Sequence, residues 1–325
     1  MFGTNFFIVM ACSFVLPCLA YPVLIYFLKK MRLGTKGHVD HIIDPCLKEK
    51  KDKTPSFGGT VFVFAPLVAI SIVFPDFMYD LSPFVVLISL LAFVGFLDDT
   101  YKILPPKKGI SAKAKSLGQL VAAIAFLLLY FSSEGATFYQ EHSFVFIILW
   151  SIFLLFVIIG SSNAVNLTDG MDGLAGLLSI ITLIFLGLVA YLQQQDMWLM
   201  VALSFICSMI PFCIFNTKPA KIFMGDVGSL PLGGVIAGIA IYLNQPWILL
   251  FFGSMFVVET LSVMMQVFYF KKTKKRIFAC APLHHHYQYK GWTENQVVLS
   301  FCGVQILTSI LGFSIYLIVV VCCGL

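Results

Sequence analysis

Ten apolar runs, most of them close to the length needed to cross a lipid bilayer, dominate this chain. They fall at about 5–28, 57–75, 81–97, 116–131, 143–161, 174–192, 197–215, 230–244, 246–269 and 298–322. A spanning helix needs roughly 20 apolar residues. The fourth and eighth runs are the short ones. The apolar residues are continuous rather than alternating, which specifies helices and not barrel strands. Only 11% of the residues are charged and 59% are hydrophobic, whereas a soluble chain carries about 25% charge. So few charges cannot cover a water-facing surface. The sequence therefore predicts an all-α, polytopic membrane protein with about ten transmembrane helices, built as a single integral membrane domain over 1–325. Disordered, collagen-like and disulfide-stapled architectures are excluded. Most of the nine cysteines sit inside apolar runs and match no zinc or redox spacing, so they are read as packing residues. The first run lacks a basic leader and is read as a retained helix.

Lysine and arginine fix the orientation. Residues 29–56 carry eight of them, 98–115 five, 216–229 two and 270–297 six, the full complement of 21. In a ten-span chain these four segments share one side, and the intervening loops near 76–80, 132–142, 193–196 and 244–246 have none. That asymmetry predicts a cytoplasmic basic face with both termini outside. Topology alone accounts for Lys271-Lys-Thr-Lys-Lys-Arg276, a juxtamembrane cluster suited to anionic headgroups. It does not account for the acids.

Five carboxylates gather at the basic membrane edge: Asp98 and Asp99 at the end of the third run, Asp169 and Asp172 between the fifth and sixth, and Asp226 before the eighth. A helix cap or an Asp-Gly turn is the ordinary reading of one such residue, and Asp172 fits it. Adjacent Asp98 and Asp99 do not, because like charges at the end of an apolar helix repel and resist desolvation. Lys102 is placed to reach back to both at helical spacing. One lysine does not balance five acids, and a divalent cation would. The accompanying donors Asn163, Asn166, Thr168 and Asn216 are oxygen donors, which favour Mg²⁺ or Mn²⁺ over zinc. Lys113 and Lys115 offer charge to phosphate, and several glycines permit close backbone approach. The pattern suggests a Mg²⁺-dependent site for a phosphorylated substrate at the membrane surface. Glu259, inside the ninth run, is costly there unless functional or hydrogen-bonded. His284, His285 and His286 are consecutive, so they cannot all face one metal from a regular element, and phosphate or sugar contact suits them better.

Five motifs then carry a resemblance: Thr54-Pro-Ser-Phe-Gly-Gly59, Phe96-Leu-Asp-Asp-Thr-Tyr-Lys102, Asn163-Ala-Val-Asn-Leu-Thr-Asp-Gly-Met-Asp-Gly-Leu-Ala175, Phe223-Met-Gly-Asp-Val-Gly-Ser229 and Pro282-Leu-His-His-His-Tyr287 with Gly291-Trp292. In this order they resemble the phospho-N-acetylmuramoyl-pentapeptide transferases, a branch of the polyprenyl-phosphate N-acetylhexosamine-1-phosphate transferases. Ser56, Phe57 and Met171 depart from the commoner family residues and touch no proposed catalytic group. The resemblance implies an enzyme of the bacterial cytoplasmic (inner) membrane whose active site faces the cytoplasm. Its reaction would move phospho-MurNAc-pentapeptide from UDP-MurNAc-pentapeptide to undecaprenyl phosphate, giving UMP and lipid I, the first membrane step of peptidoglycan synthesis. The bilayer is a partner, a homodimer is allowed with no surface marked for it, and no nucleic acid is expected.

On the same resemblance Asp98, Asp99 and Asp226 are catalytic. Asp226 is the first metal ligand and Asp99 the second, and Asp98 is the candidate general base. Lys102 and Lys115 would bind phosphate. Asn166, Asp169, Gly170, Asp172, Asn216 and Phe223 would form the nucleoside and diphosphate pocket, and His284, His285 and His286 its sugar-phosphate side. Direct attack and a phospho-enzyme route both stay open, as does the division of roles between Asp98 and Asp99. Two other readings are weighed: a relative that takes N-acetylglucosamine as its sugar, and a transporter with Glu259 and the acids on an ion path.

Overall fold

The computed structural model describes residues 3–31, 54–104, 108–133 and 143–323, and these are helical with no strand among them. In chain order the helices are α1 (Thr4–Lys30), α2 (Gly59–Val73), α3 (Ser82–Ile103), α4 (Ala112–Ser133), α5 (Phe144–Thr168), α6 (Leu174–Leu192), α7 (Asp196–Asn216), α8 (Asp226–Tyr242), α9 (Ser254–Thr273), α10 (Leu283–Tyr289) and α11 (Glu294–Cys323). Short helical turns cover Phe77–Asp80, Pro246–Ile248 and Leu249–Phe252.

All ten apolar runs are helical, but length divides them. Among the described residues, seven helices are long and apolar enough to cross a membrane, or eight if the bent pair Pro246–Phe252 and Ser254–Thr273 counts as one. The other two, α2 and α8, have 15 and 17 residues. At about 1.5 Å per residue they fall short of the roughly 30 Å hydrocarbon layer. Seven to eight of the described helices thus pass on length and composition, and the count of ten is not confirmed on that criterion. The bundle is a multi-pass membrane protein, and its outer surface is apolar: Leu19, Ile72, Leu128, Phe156 and Leu307 are all exposed. A water-facing monomer rarely shows so extended an apolar surface.

Helix α8 forms the centre. Every residue from Asp226 to Ile241 is buried, and α8 packs mainly on α3 and α5, with α2 and α6 completing the ring. Close crossings require the missing side chains. A Cβ on Gly59 would collide with the backbone of Gly228, and one on Gly95 with the backbone of Asp226. The second crossing matters for chemistry, because it sets the end of α3 against the first turn of α8.

The ninth run reads as a continuous span, and the structure corrects this. It bends by 85° between Pro246–Phe252 and Ser254–Thr273, at Gly253. Breaking a helix in lipid strands backbone groups that no water can satisfy. Buried Gln305 of α11 supplies partners. Its amide donates to the Leu178 carbonyl and to Thr182 Oγ1, both at 2.9 Å, and its carbonyl accepts from the Met255 N–H at 3.2 Å. Thr182 Oγ1 donates in turn to the Phe252 carbonyl at 2.8 Å. Gln305→Leu should destabilise the detergent-solubilised protein by about 1–3 kcal/mol, the cost of a buried orphan group. A lowered midpoint in a thermal melt checks this, and an unchanged one would show that the bend does not depend on Gln305.

Candidate active site

The five motifs converge at one end of the bundle. Residues 54–59 and 223–224 lie side by side through three backbone bonds: Phe223 N–H to Pro55 O at 2.8 Å, Gly58 N–H to Phe223 O at 2.9 Å and Gly59 N–H to Met224 O at 2.8 Å. This brings Ser56 beside Gly225, whose positive φ of 73° starts α8. The start of α8 is capped from outside its own sequence, since Asp99 Oδ2 accepts the Val227 N–H at 3.0 Å. A carboxylate suits the partial positive charge of a helix N-terminus. The eighth run consequently begins at Asp226 rather than at 230.

Asp98, Asp99 and Asp226 are all buried. One carboxylate oxygen from each lies within 4.8 Å of the others. Lys102 Nζ sits among them, 2.8 Å from Asp98 Oδ2, 3.0 Å from Asp226 Oδ1 and 3.7 Å from Asp99 Oδ1. The expected reach back along α3 is thus present and extends across to α8. Lys115, from the first turn of α4, pairs with Asp226 Oδ2 and donates to Asn166 Oδ1 at 3.0 Å. Asn166 Nδ2 donates to Asp226 Oδ1 at 3.0 Å and to Ser229 Oγ at 2.8 Å. Asp98 Oδ1 accepts the Ile110 N–H at 2.8 Å. The result is three buried carboxylates facing two ammonium groups. A set of hard oxygens with surplus negative charge fits a divalent cation such as Mg²⁺ or Mn²⁺.

Asp169 follows the end of α5, three residues after Asn166. Burial pushes its carboxyl well above the ordinary carboxylate range, and the charges of Asp226 and Asp99 push it further. Asp172 and Asn216 serve the frame. Asp172 Oδ2 accepts the Ala220 N–H at 3.1 Å, while Asn216 accepts from the Gly173 N–H at 3.0 Å and donates to the Ile222 carbonyl at 2.9 Å. Together they tie the turn at 169–173 to the loop at 217–222. Phe223 is partly exposed. The histidines diverge, as consecutive residues must. His284 is fully buried, with Nδ1 3.2 Å from Glu259 Oε2. The His285 ring lies 4.2 Å from that of His284. His286 Nδ1 accepts the Ala279 N–H at 3.1 Å, and desolvation followed by Lys290 lowers its pKa.

Sequence reasoning assigned no role to Ser229, to the backbone N–H groups of Ile110 and Val227, or to Ser56. Ser229 lies three residues beyond Asp226 on the same helical face, a signal usable once the start of α8 is known. The backbone donors leave no signal in side-chain identity.

Comparison with known proteins bears on this geometry. The model of Glycosyl transferase family 4 matches residues 81–244, a stretch holding all three carboxylates and both lysines. The chain is 39% identical over 311 residues to the phospho-N-acetylmuramoyl-pentapeptide-transferase of Listeria welshimeri, covering 93% of this chain and 95% of the relative. It belongs to the phospho-N-acetylmuramoyl-pentapeptide transferase family. The enzyme of that name from Listeria monocytogenes matches at 39% identity and that from Bacillus thuringiensis at 37%, with the same coverage of both chains. The transferase thus carries its family's resemblance beyond residues 81–244, through the α9–α10 region that holds Glu259 and the histidines.

Proposed function

We propose that this transferase moves phospho-MurNAc-pentapeptide from UDP-MurNAc-pentapeptide to undecaprenyl phosphate, releasing UMP and forming lipid I, in a Mg²⁺-dependent reaction. The observation that carries the reading is the convergence of Asp98, Asp99 and Asp226 with Lys102 and Lys115 at one end of a membrane bundle. That end also carries the lysine-bearing connections at 108–115 and 217–221, which supports a site on the cytoplasmic side of a bacterial inner membrane. Arg32, Lys36, Lys48, Lys50, Lys51, Lys53 and Lys107 lie outside the described residues. The whole chain acts as one domain in this reading.

Two anions must meet, so charge neutralisation and positioning dominate phosphoryl transfer. Asp226 and Asp99 would hold Mg²⁺, which when bound supplies positive charge to the diphosphate and the leaving UMP. Lys102 and Lys115 present their ammonium groups to phosphate oxygens. Asp98 holds the proton of an undecaprenyl phosphate hydroxyl as its oxygen forms a bond to the sugar-linked phosphorus and the bond from that phosphorus to UMP breaks. The Ile110 N–H and Lys102 keep the Asp98 carboxylate oriented for that task. Phe223 offers a ring to the uracil. Asn166 holds Asp226 and Lys115 in register, Asp169 and Gly170 line the cleft, and Asp172 and Asn216 hold its wall.

The test is UMP release from UDP-MurNAc-pentapeptide in detergent, with and without undecaprenyl phosphate. Chelation with EDTA should abolish release and added Mg²⁺ restore it. Persistent turnover in chelator would remove the cation from the reading, and release without the lipid acceptor would replace direct attack with a phospho-enzyme. A panel that includes UDP-N-acetylglucosamine tests the choice of sugar.

A further inference from the structure

A glutamate buried at a bilayer-spanning bend needs a reason to be there. Glu259, in the second turn of α9, is 0% exposed, as is His284. Its two oxygens are both committed to His284: Oε1 accepts the backbone N–H at 3.0 Å, and Oε2 lies 3.2 Å from ring Nδ1. A carboxylate in that position accepts from Nδ1–H, which fixes the tautomer and the ring plane. The other nitrogen, Nε2, is buried and has no hydrogen-bond partner among the described residues. It is not aimed into apolar packing. A Cβ placed on Gly170 would collide with it, so Nε2 lies directly against the turn between Asp169 and Asp172. That turn lies beside the carboxylate cluster, since Asn166, four residues before Gly170, donates to Asp226 Oδ1 at 3.0 Å. An orphaned ring nitrogen costs about 1–3 kcal/mol, and with the proton on Nδ1 it needs a donor, which a hydroxyl or amide of a bound nucleotide sugar supplies.

We propose that Glu259 is a positioning residue for the phosphoryl transfer put forward above: by accepting the Nδ1–H of His284 it turns the Nε2 lone pair toward the Gly170 turn, where Nε2 accepts from a hydroxyl or amide N–H of the bound UDP-sugar. Glu259 itself touches no substrate. No covalent bond forms or breaks at either residue. Gly170 takes part by its lack of a side chain, which leaves the line between Nε2 and the cleft open.

The proposal rests on the functional reading above, and the experiment separates the two. Histidine labelled with ¹⁵N is introduced into the full chain in lipid nanodiscs, and the His284 signals are assigned through His284→Asn. The expected spectrum shows Nδ1 protonated, and an Nε2 resonance that moves when UDP-MurNAc-pentapeptide and Mg²⁺ are added without lipid acceptor. An Nε2 signal that stays put in a wild-type protein releasing UMP from that donor overturns the proposal, as does an Nδ1 without its proton. A wild type that releases no UMP marks failure of the functional reading instead. Kinetics supply the second arm. Glu259→Gln should lower kcat by about 10–100-fold, the range for outer-shell partners of an active group, with KM changed by less than about threefold if the loss is confined to the transition state. In a His284→Asn background the same substitution should cost nothing further, since pairs that act as a unit are non-additive. A full, independent loss in that background would place Glu259 in the scaffold and overturn the proposal.

Discussion

Asp226→Asn in the purified transferase is expected to lower UMP release by at least about 10²-fold, on the scale of losing a group that acts in the transition state. The structure explains why this carboxylate should matter more than an ordinary buried acid. Asp226 Oδ1 takes Lys102 Nζ and Asn166 Nδ2, each at 3.0 Å, and Oδ2 takes Lys115. Three helices, α3, α4 and α5, are therefore tied to the first turn of α8 through one side chain. An amide keeps the shape but presents one acceptor in place of two and removes the charge. Both lysines then lose a counter-charge, and the proposed cation loses its first ligand. Turnover at saturating Mg²⁺ and the thermal midpoint should be read together. Near-normal turnover would remove the metal assignment from Asp226. A large loss of turnover with the midpoint held shows that the defect lies in the site rather than in the fold.

Much of this constellation is legible in the sequence because hydrophobicity and charge are read locally. The apolar runs mark the helices, the one-sided lysines mark the face, and the Asp98–Lys102 spacing anticipates the 2.8 Å pair. What the sequence conceals arises where distant segments complete one another. The start of α8 is set by the Asp99 carboxylate, 128 residues away, so local hydropathy places it four residues too late. The break at Gly253 survives in lipid because Gln305, 50 residues from Met255, supplies an acceptor, and no local pattern announces that. Gly59, Gly95 and Gly228 matter through what they lie against, which only the packed bundle shows. Asn216 and Asp172 carry the residue types of a binding pocket, yet the bonds they make run to the backbone of the adjoining loop.

Lys102→Met should separate two roles that a single activity assay merges. The ammonium of Lys102 lies among the three carboxylates, within 3.7 Å of an oxygen from each. A dication drawn to Asp226 and Asp99 must compete with that ammonium for the same oxygens. Two unit charges about 4 Å apart interact by roughly 4 kcal/mol at an effective dielectric near 20. Removing one competitor can therefore strengthen cation binding by about tenfold, which needs only about 1.4 kcal/mol. The same substitution deprives the diphosphate of a positive partner, and turnover should fall by about 10²-fold, as for loss of one preorganised electrostatic group. The expected result is thus a tighter Kd for Mn²⁺, measured by electron paramagnetic resonance on the apo protein, together with slower UMP release. If Lys102 served only to neutralise Asp98 and Asp99 for folding, the midpoint, the cation affinity and the turnover would all fall together. Weaker Mn²⁺ binding in a folded Lys102→Met protein would show that the ammonium and the cation do not contend for one place, and the three-carboxylate metal site would have to be abandoned.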